Sequence, residues 1–257
     1  MPESWEHYRC SMQGQPAAFL VDLGAMDLAP DVRRSVLITV RVALRRPRPD
    51  GLNALQESAT LQRLEDLLVE RMARSEGRYV GRVTHAGSRE FCFYAADQQG
   101  VARQVQAALD EGGYRGALLP LPDPKWDHYR RFLWPERDQM QAIVDRRMVQ
   151  ALGRKGDTLQ IARPVTHWVA FDSVDGRDAM LLLLSEDWEC QVRCGLEAPF
   201  EIGLALTKAQ AVDLNSVRTT VQELESYLWA LGGVYEAWQT MVCLPEVHAP
   251  PMRRRRR

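Results

Sequence analysis

The chain lacks the features that mark a membrane, secreted or metal-binding protein. No stretch approaches the roughly 20 consecutive apolar residues of a membrane-spanning helix. The opening Met1-Pro2-Glu3-Ser4-Trp5-Glu6-His7 is polar and partly acidic, where a secretory signal needs a basic start and then an apolar run. A cytoplasmic location with no membrane partner is the expectation. The five cysteines, Cys10, Cys92, Cys190, Cys194 and Cys243, are too few and too scattered for a disulfide framework. The five histidines are equally dispersed, with no metal-ligand spacing. The sequence has no Walker-type phosphate loop, no G-x-G-x-x-G, no G-x-S-x-G and no H-E-x-x-H. The run Gly153-Arg154-Lys155-Gly156-Asp157-Thr158 is too short for a phosphate loop and reads as a helix stop and turn. No catalytic residue, metal or cofactor is therefore expected.

An excess of one charge is missing too. Lys plus Arg is 33 and Asp plus Glu is 34, a net charge of -1. That figure hides an asymmetry, because Arg253, Arg254, Arg255, Arg256 and Arg257 close the chain. Setting those five aside leaves 28 of the 33 basic residues against 34 acidic ones, so the body is acidic. The tail reads as solvated chain able to grip phosphates or an acidic partner, with salt-dependent affinity. Nucleic acid is confined to that tail as a candidate partner. Among the 33 basic residues only Lys125, Lys155 and Lys208 are lysines, which overall codon bias would also produce.

What is present is an ordinary globular composition, 46% hydrophobic and 26% charged over 257 residues. That length suits one large domain or two of about 130 residues. After a short strand over Ala17 to Gly24, the alternation of Val36, Ile38, Val40, Val42 and Leu44 predicts a strand. Leu61, Leu64, Leu68 and Met72 recur at helical spacing. Strands follow over Arg78 to His85 and Arg89 to Ala95, joined by the hairpin-length link Ala86-Gly87-Ser88. Val101, Val105, Ala108 and Leu109 mark a second helix that stops at Gly112-Gly113. Tyr114 to Leu121 closes the set. Prolines 120, 122 and 124 mark a junction, and a helical stretch follows with Ile143, Val144, Met148, Ala151 and Leu152 on one side.

The same order then returns. Val165, His167, Val169 and Phe171 share one face of a strand, and Val174 to Leu184 is a helix with Ser173 at its N-cap. Strands follow over Trp188 to Cys194 and Phe200 to Leu206. Val217, Val221, Leu224, Leu228 and Leu231 form a helix stripe, stopped by Gly232-Gly233, and Val234 to Val242 ends the unit. Each half reads as the split βαβ pattern, so the expected fold is α+β: two tandem ferredoxin-like (βαββαβ) units, antiparallel sheets with helices on one face. The domains divide as 1–122, 123–245 and a basic tail over 246–257. Trp5-Glu6-His7-Tyr8 echoes Trp126-Asp127-His128-Tyr129, and Gly112-Gly113-Tyr114 echoes Gly232-Gly233-Val234-Tyr235, as a duplication would leave. Along Trp188 to Cys194 the alternation places Cys190 and Cys194 toward the core. At about 13 Å apart they are too distant for a disulfide or a shared zinc ion.

Several blocks resemble known families. Val21-Asp22-Leu23-Gly24, Arg78-Tyr79-Val80-Gly81-Arg82, Arg89-Glu90-Phe91-Cys92-Phe93-Tyr94 and Asp123-Pro124-Lys125-Trp126-Asp127-His128-Tyr129 resemble the bacterial domain-of-unknown-function family six-nine-five. Asp145-Arg146-Arg147, His167-Trp168 and Tyr235-Glu236-Ala237-Trp238 resemble regulator of ribonuclease activity B, an inhibitor of the RNA-degrading endonuclease ribonuclease E. That family tends to have Tyr-Asp-Gly-Trp where this chain has Tyr235-Glu236-Ala237-Trp238. The resemblance implies a non-catalytic protein that acts by binding another protein, with an RNA-degrading endonuclease as the implied partner.

The candidate protein-binding residues are His167, Trp168, Tyr235 and Trp238. Strict alternation puts Tyr235 and Trp238 on opposite faces of their strand. His167 and His85 also read as core histidines, each satisfied by a backbone carbonyl. Phe91, Phe93 and Tyr94 occupy the strand that carries stacking aromatics in RNA-recognition domains of this topology, but Glu90 departs from that signature and core packing is the stronger reading. Two further functions stay open: RNA binding through an open sheet face and the tail, and a small-molecule enzyme or ligand site between the two domains. Exposed edge strands leave a homodimer open as well.

Overall fold

The computed structural model describes residues 3–245; the arginine tail falls in 246–257, outside the described residues. The fold is α+β, with one six-stranded and one four-stranded antiparallel sheet, in two compact units, Met1–Ile143 and Val144–Arg257.

The first unit holds β1 (Trp5–Met12), β2 (Gln15–Asp22), β3 (Val36–Ala43), β4 (Arg78–His85), β5 (Ser88–Ala95) and β6 (Gly116–Pro122), with α1 (Leu55–Ala73) and α2 (Gln99–Gly112) between them. The strand order across the sheet is β1-β2-β4-β5-β3-β6. Leu61, Leu64, Leu68 and Met72 of α1 and Val101, Val105, Ala108 and Leu109 of α2 pack with Ile38, Val40, Val42, Phe91 and Phe93 in one core cluster. The helical spacing and the strand alternation thus meet on one face. α2 ends where Gly113 adopts a left-handed φ of 67°, which costs little without a Cβ.

Two features depart from expectation. The polar start forms β1, paired residue for residue with β2 through the turn at Gln13 and Gly14. An edge strand keeps its outer side wet, so it need not show apolar alternation. The opposite face of the sheet is also closed rather than bare. Tyr8, Phe19, Val21, Val83, Cys92 and Tyr94 pack there with Trp126, Tyr129, Leu133 and Ile143 in a second core cluster. Trp126 stacks on Tyr94 with ring centroids 4.0 Å apart, and its indole N–H donates to the Arg34 carbonyl at 2.7 Å. Tyr129 donates to the Asp22 carbonyl at 2.7 Å and Tyr8 to that of Leu133 at 2.9 Å.

Asp123 anchors this segment. It accepts from the Tyr94 hydroxyl at 2.6 Å and from the amides of Asp127 and His128. Burial pushes its carboxyl up, but those three donors outweigh it and hold the pKa below the ordinary value. The residues after the prolines therefore pack on the first sheet, and the compact units divide inside α3 (Arg137–Arg154), between Ile143 and Val144. Pro120 and Pro122 lie within β6, an edge strand that pairs only with β3, where a missing N–H is tolerated. The echo of Trp5 to Tyr8 with Trp126 to Tyr129 has no structural counterpart: one lies in β1, the other leads into a π-helical turn, Tyr129–Leu133.

The second unit holds β7 (Arg163–Phe171), α4 (Val174–Leu183), β8 (Glu189–Cys194), β9 (Ile202–Gln210), α5 (Leu214–Ala230) and β10 (Gly233–Thr240). Its strand order, β10-β7-β9-β8, repeats the β6-β3-β5-β4 portion of the first sheet. Ser173 caps α4 by accepting from the Gly176 amide at 3.2 Å. Asp213 caps α5, accepting from Asn215 and Ser216.

Cys190 and Cys194 are exposed, not buried as the alternation suggests, and both are free thiols. α4 packs against β7 and β9 and α5 against β10, so the edge strand β8 lies beyond the helix layer. Val192, between the cysteines, is 54% exposed.

Replacing Trp126 by Ala should cost about 3–5 kcal/mol in urea denaturation followed by circular dichroism, the usual loss for a fully buried aromatic. Trp229, which is 90% exposed, is the control and should change stability by no more than about 0.5 kcal/mol. Equal, small losses would show that the segment after Asp123 is not core.

Candidate functional site

The residues singled out in the second unit converge on one buried polar cluster, and a strand irregularity brings them together. β10 pairs with β7 as Tyr235 opposite Val169, then Ala237 opposite Trp168 and Trp238 opposite His167. Glu236 is the extra residue, a β-bulge that resets the alternation. Tyr235 and Trp238 therefore share a face, where strict alternation would separate them. Both are core residues, 6% and 3% exposed.

His167 Nδ1 and the Tyr235 hydroxyl share a hydrogen bond of 2.8 Å. The imidazole meets the Trp188 ring edge-on at 5.7 Å. The Trp238 indole N–H donates to Asp145 of α3 at 3.0 Å, and Asp145 is itself buried. Lys208 lies over the Trp188 ring with its ammonium 5.2 Å from the centroid, an attractive cation–π placement.

The electrostatics follow from burial. Desolvation, assisted by the Lys208 charge, pulls the His167 pKa from 6.5 down to about 4, so the ring is neutral near pH 7. Burial pushes the Tyr235 hydroxyl up, with Asp145 and Glu225 adding to the shift. The His167 partner is a tyrosine hydroxyl rather than the expected backbone carbonyl. His85, in the first unit, does meet a carbonyl, that of Met12 at 3.1 Å. Nε2 of His167 is buried and makes no hydrogen bond among the described residues. With no solvent-accessible atom, the ring cannot meet a substrate as acid or base. The cluster fixes β7, β10 and α3 against one another.

Trp168 stands apart. It lies on the other face of β7, flanked by Ala205 of β9 and Ala237 of β10, with Thr166 and Thr207 paired at 2.9 Å nearby. It is half-buried. Glu236, the bulged residue, pairs with Arg193 of β8 at 2.5 Å. Among the four expected binding residues, Trp168 is thus the one on the accessible side of the sheet. Asp145 and Trp188 complete the buried cluster. Of the stripe expected on α3, Ile143 and Leu152 are buried but Val144 and Met148 are exposed; the buried side runs through Ile143, Asp145, Val149 and Leu152, and the pairing of Asp145 with Trp238 depends on the bulge, for which the sequence gives no glycine or proline signal.

Among the described residues, no group of three or more His, Cys, Asp or Glu side chains converges as a metal site would require, and no helix is long and apolar enough to cross a membrane. The arginine tail lies outside the described residues. In the first unit, Tyr94 is fully buried under Trp126, so the face that an RNA-recognition reading would need open is filled.

These features define an α+β protein of two compact units, the second with a buried histidine–tyrosine–tryptophan–aspartate cluster. The chain belongs to the Family of unknown function (DUF695), which matches residues 3–134, and its second domain, residues 142–240, matches Regulator of ribonuclease activity B. The first match includes Trp126 and Tyr129, and the second begins just before Asp145. No curated protein matches the chain.

His167 sets a pH dependence. Its folded pKa is depressed, so the unfolded state binds more protons between about pH 6.5 and 4. The stability gained by keeping the ring neutral is complete above pH 6.5 and is lost as pH falls toward 4, on the order of 3 kcal/mol in all. His167→Gln should flatten that part of the stability-versus-pH curve, measured by urea denaturation at pH steps from 7.5 to 4.5. A slope equal to that of the natural chain would remove the assignment.

Proposed function

We propose that this protein is a non-catalytic regulator that binds another protein, and that its partner is an RNA-degrading endonuclease of the ribonuclease E type. The match of residues 142–240 to Regulator of ribonuclease activity B carries the reading. We also read both units as ferredoxin-like: the order βαββαβ recurs in each, and the shared strand order supports it. A regulator of that enzyme would work in the cytoplasm.

In this reading Trp168 is the anchor. Tryptophan is enriched among interface hot spots, and Trp168 is half-buried with the small residues Ala205 and Ala237 opposite it on the two neighbouring strands. His167, Tyr235 and Trp238 contribute indirectly, by holding the sheet that presents it.

The test uses the full chain as bait in its native host, followed by binding to the purified endonuclease. Recovery of the enzyme and saturable binding are expected. Trp168→Ala should weaken that binding about tenfold or more with unchanged circular dichroism. Tyr235→Ala should instead lower stability. Failure of the purified endonuclease to bind would overturn the partner, and undiminished binding by Trp168→Ala would overturn the anchor. Binding of labelled RNA that disappears with the last five residues would favour the nucleic-acid reading instead.

A further inference from the structure

The first unit contains a cleft of about 1010 Å³ on the helix side of its sheet. Its origin is the width of the sheet. In register, His7, Leu20, Arg82 and Phe91 form one row across β1, β2, β4 and β5. Phe91 lies in the core with α1 and α2, while Leu20 and His7 line the cleft beyond them. α1 supplies a wall with Gln62, Asp66, Val69 and Glu70.

Both signs of charge line the cleft, Glu3 and Glu76 among the acidic residues, and the backbone of Glu76 accepts from Arg34. Arg33, Arg34 and Arg78 line both it and a smaller neighbouring cleft of about 520 Å³, so these three arginines stand together at one end. All three are ion-paired, Arg33 and Arg34 with Asp31 and Arg78 with Asp22. Asp66 and Glu70 are exposed on α1. The cleft also has an aromatic surface, with the Trp5 ring 5.1 Å from that of Tyr79, which in turn packs on Phe93 at 4.9 Å.

Beneath it, Glu65, 4% exposed, accepts from the Tyr79 hydroxyl at 2.9 Å and pairs with Arg82 at 2.7 Å. Glu65 Oε2, Arg78 Nε and Arg82 Nε are buried yet complete no hydrogen bond among the described residues; the Glu65–Arg82 contact is an ion pair lying off the N–H direction. Arg78 Nε is thus a buried donor without a hydrogen-bond partner among the described residues; such a group calls for an explanation, and a ligand carboxylate at this end of the cleft supplies one.

We propose that this cleft is a binding site for a small zwitterionic ligand of the short-peptide class. The carboxylate end lies toward Arg33, Arg34 and Arg78, the ammonium end toward Asp66 and Glu70, and the apolar body on Trp5 and Tyr79. A single-sign ligand would leave one end of the cleft facing like charge. The volume is at the upper end for small-molecule pockets, roughly 300–1,000 Å³, which favours a peptide over a single amino acid. The site belongs to the first unit alone and does not depend on the ribonuclease reading.

Isothermal titration calorimetry on the full chain tests it, with trialanine, N-acetyl-trialanine amide and free alanine as probes. One-site saturable binding of trialanine is expected, weakened about tenfold or more by capping both charges and weakened by added salt. Asp66→Asn, at an exposed helix position, and Trp5→Leu should each reduce affinity about fivefold or more without changing the unfolding temperature by more than a few degrees. Tighter binding of free alanine than of trialanine would overturn the short-peptide assignment. No saturable heat with any probe, equal binding of the capped peptide, or full affinity in both variants would overturn the proposal.

Discussion

Each sheet depends on one strand that carries one residue too many. In β4 the extra residue is Val80, between Tyr79 opposite Phe93 and Gly81 opposite Cys92. In β10 it is Glu236. A bulge resets which side chains face which layer. In the first unit it turns Tyr79 and Arg82 to the helix side, where both reach Glu65. In the second it turns Tyr235 and Trp238 inward, where they reach His167 and Asp145. Without Glu236, Trp238 would face away from the helices and Asp145, only 1% exposed, would lose its indole donor. A buried carboxylate that gives up a hydrogen-bond donor is penalised. Gly81 shows how tight the first bulge is: with φ at +153°, a Cβ there would stand 2.4 Å from the Leu20 carbonyl.

The bulges also separate the residues that build the fold from those that can meet a partner. His167, Tyr235 and Trp238 look like recognition residues by type, but in the core His167 and Tyr235 meet each other and the Trp238 indole meets Asp145. Such a network contributes little net stability compared with apolar packing, and its effect is to fix one register and one helix position. Trp168, one residue from His167, has the opposite fate because adjacent residues in a strand face opposite ways. A family motif that spans both therefore combines a scaffold half and a surface half. Loss of binding on mutating the first would come through the second.

Much of the architecture was legible because it rests on local patterns. The stripes of α1, α2 and α5, the alternation of β3 and β7, the glycine stops at Gly113 and Gly232 and the Ser173 cap each follow from residue type and spacing. What escaped detection depends on long-range contacts. β1 has a polar alternation because it is an edge. Cys190 and Cys194 sit in an alternating strand, yet alternation shows only that residues share a face, not that a helix covers it. The prolines at 120, 122 and 124 read as a junction that puts residues from 123 on in the second domain, whereas Trp126, Tyr129 and Leu133 are held by partners about a hundred residues earlier in the chain. Gly81 inside a strand was a signal for a bulge; at Glu236 no such signal exists. The candidate residues in the second unit prove to be neighbours on β7 and β10, but their division into core and surface needed the pairing register.

The repeated strand order suggests that the two units offer the same surface for function, and the packing argues otherwise. In the first sheet the face away from α1 and α2 is filled by Trp126, Tyr129 and Leu133, while β1 and β2 widen the sheet past α1 and open a polar cleft on the helix side. In the second sheet the helix side is occupied by α3, α4 and α5 residues around His167, and the residues on the other face, Thr166, Trp168, Ala205 and Thr207, are half-buried. One unit thus presents the helix side of its sheet and the other the bare side. Duplicated topology sets where each strand lies, but what is added around it decides which side can bind. Functional transfer between the halves is therefore unwarranted even if they share an origin, and each surface has to be tested with its own ligand.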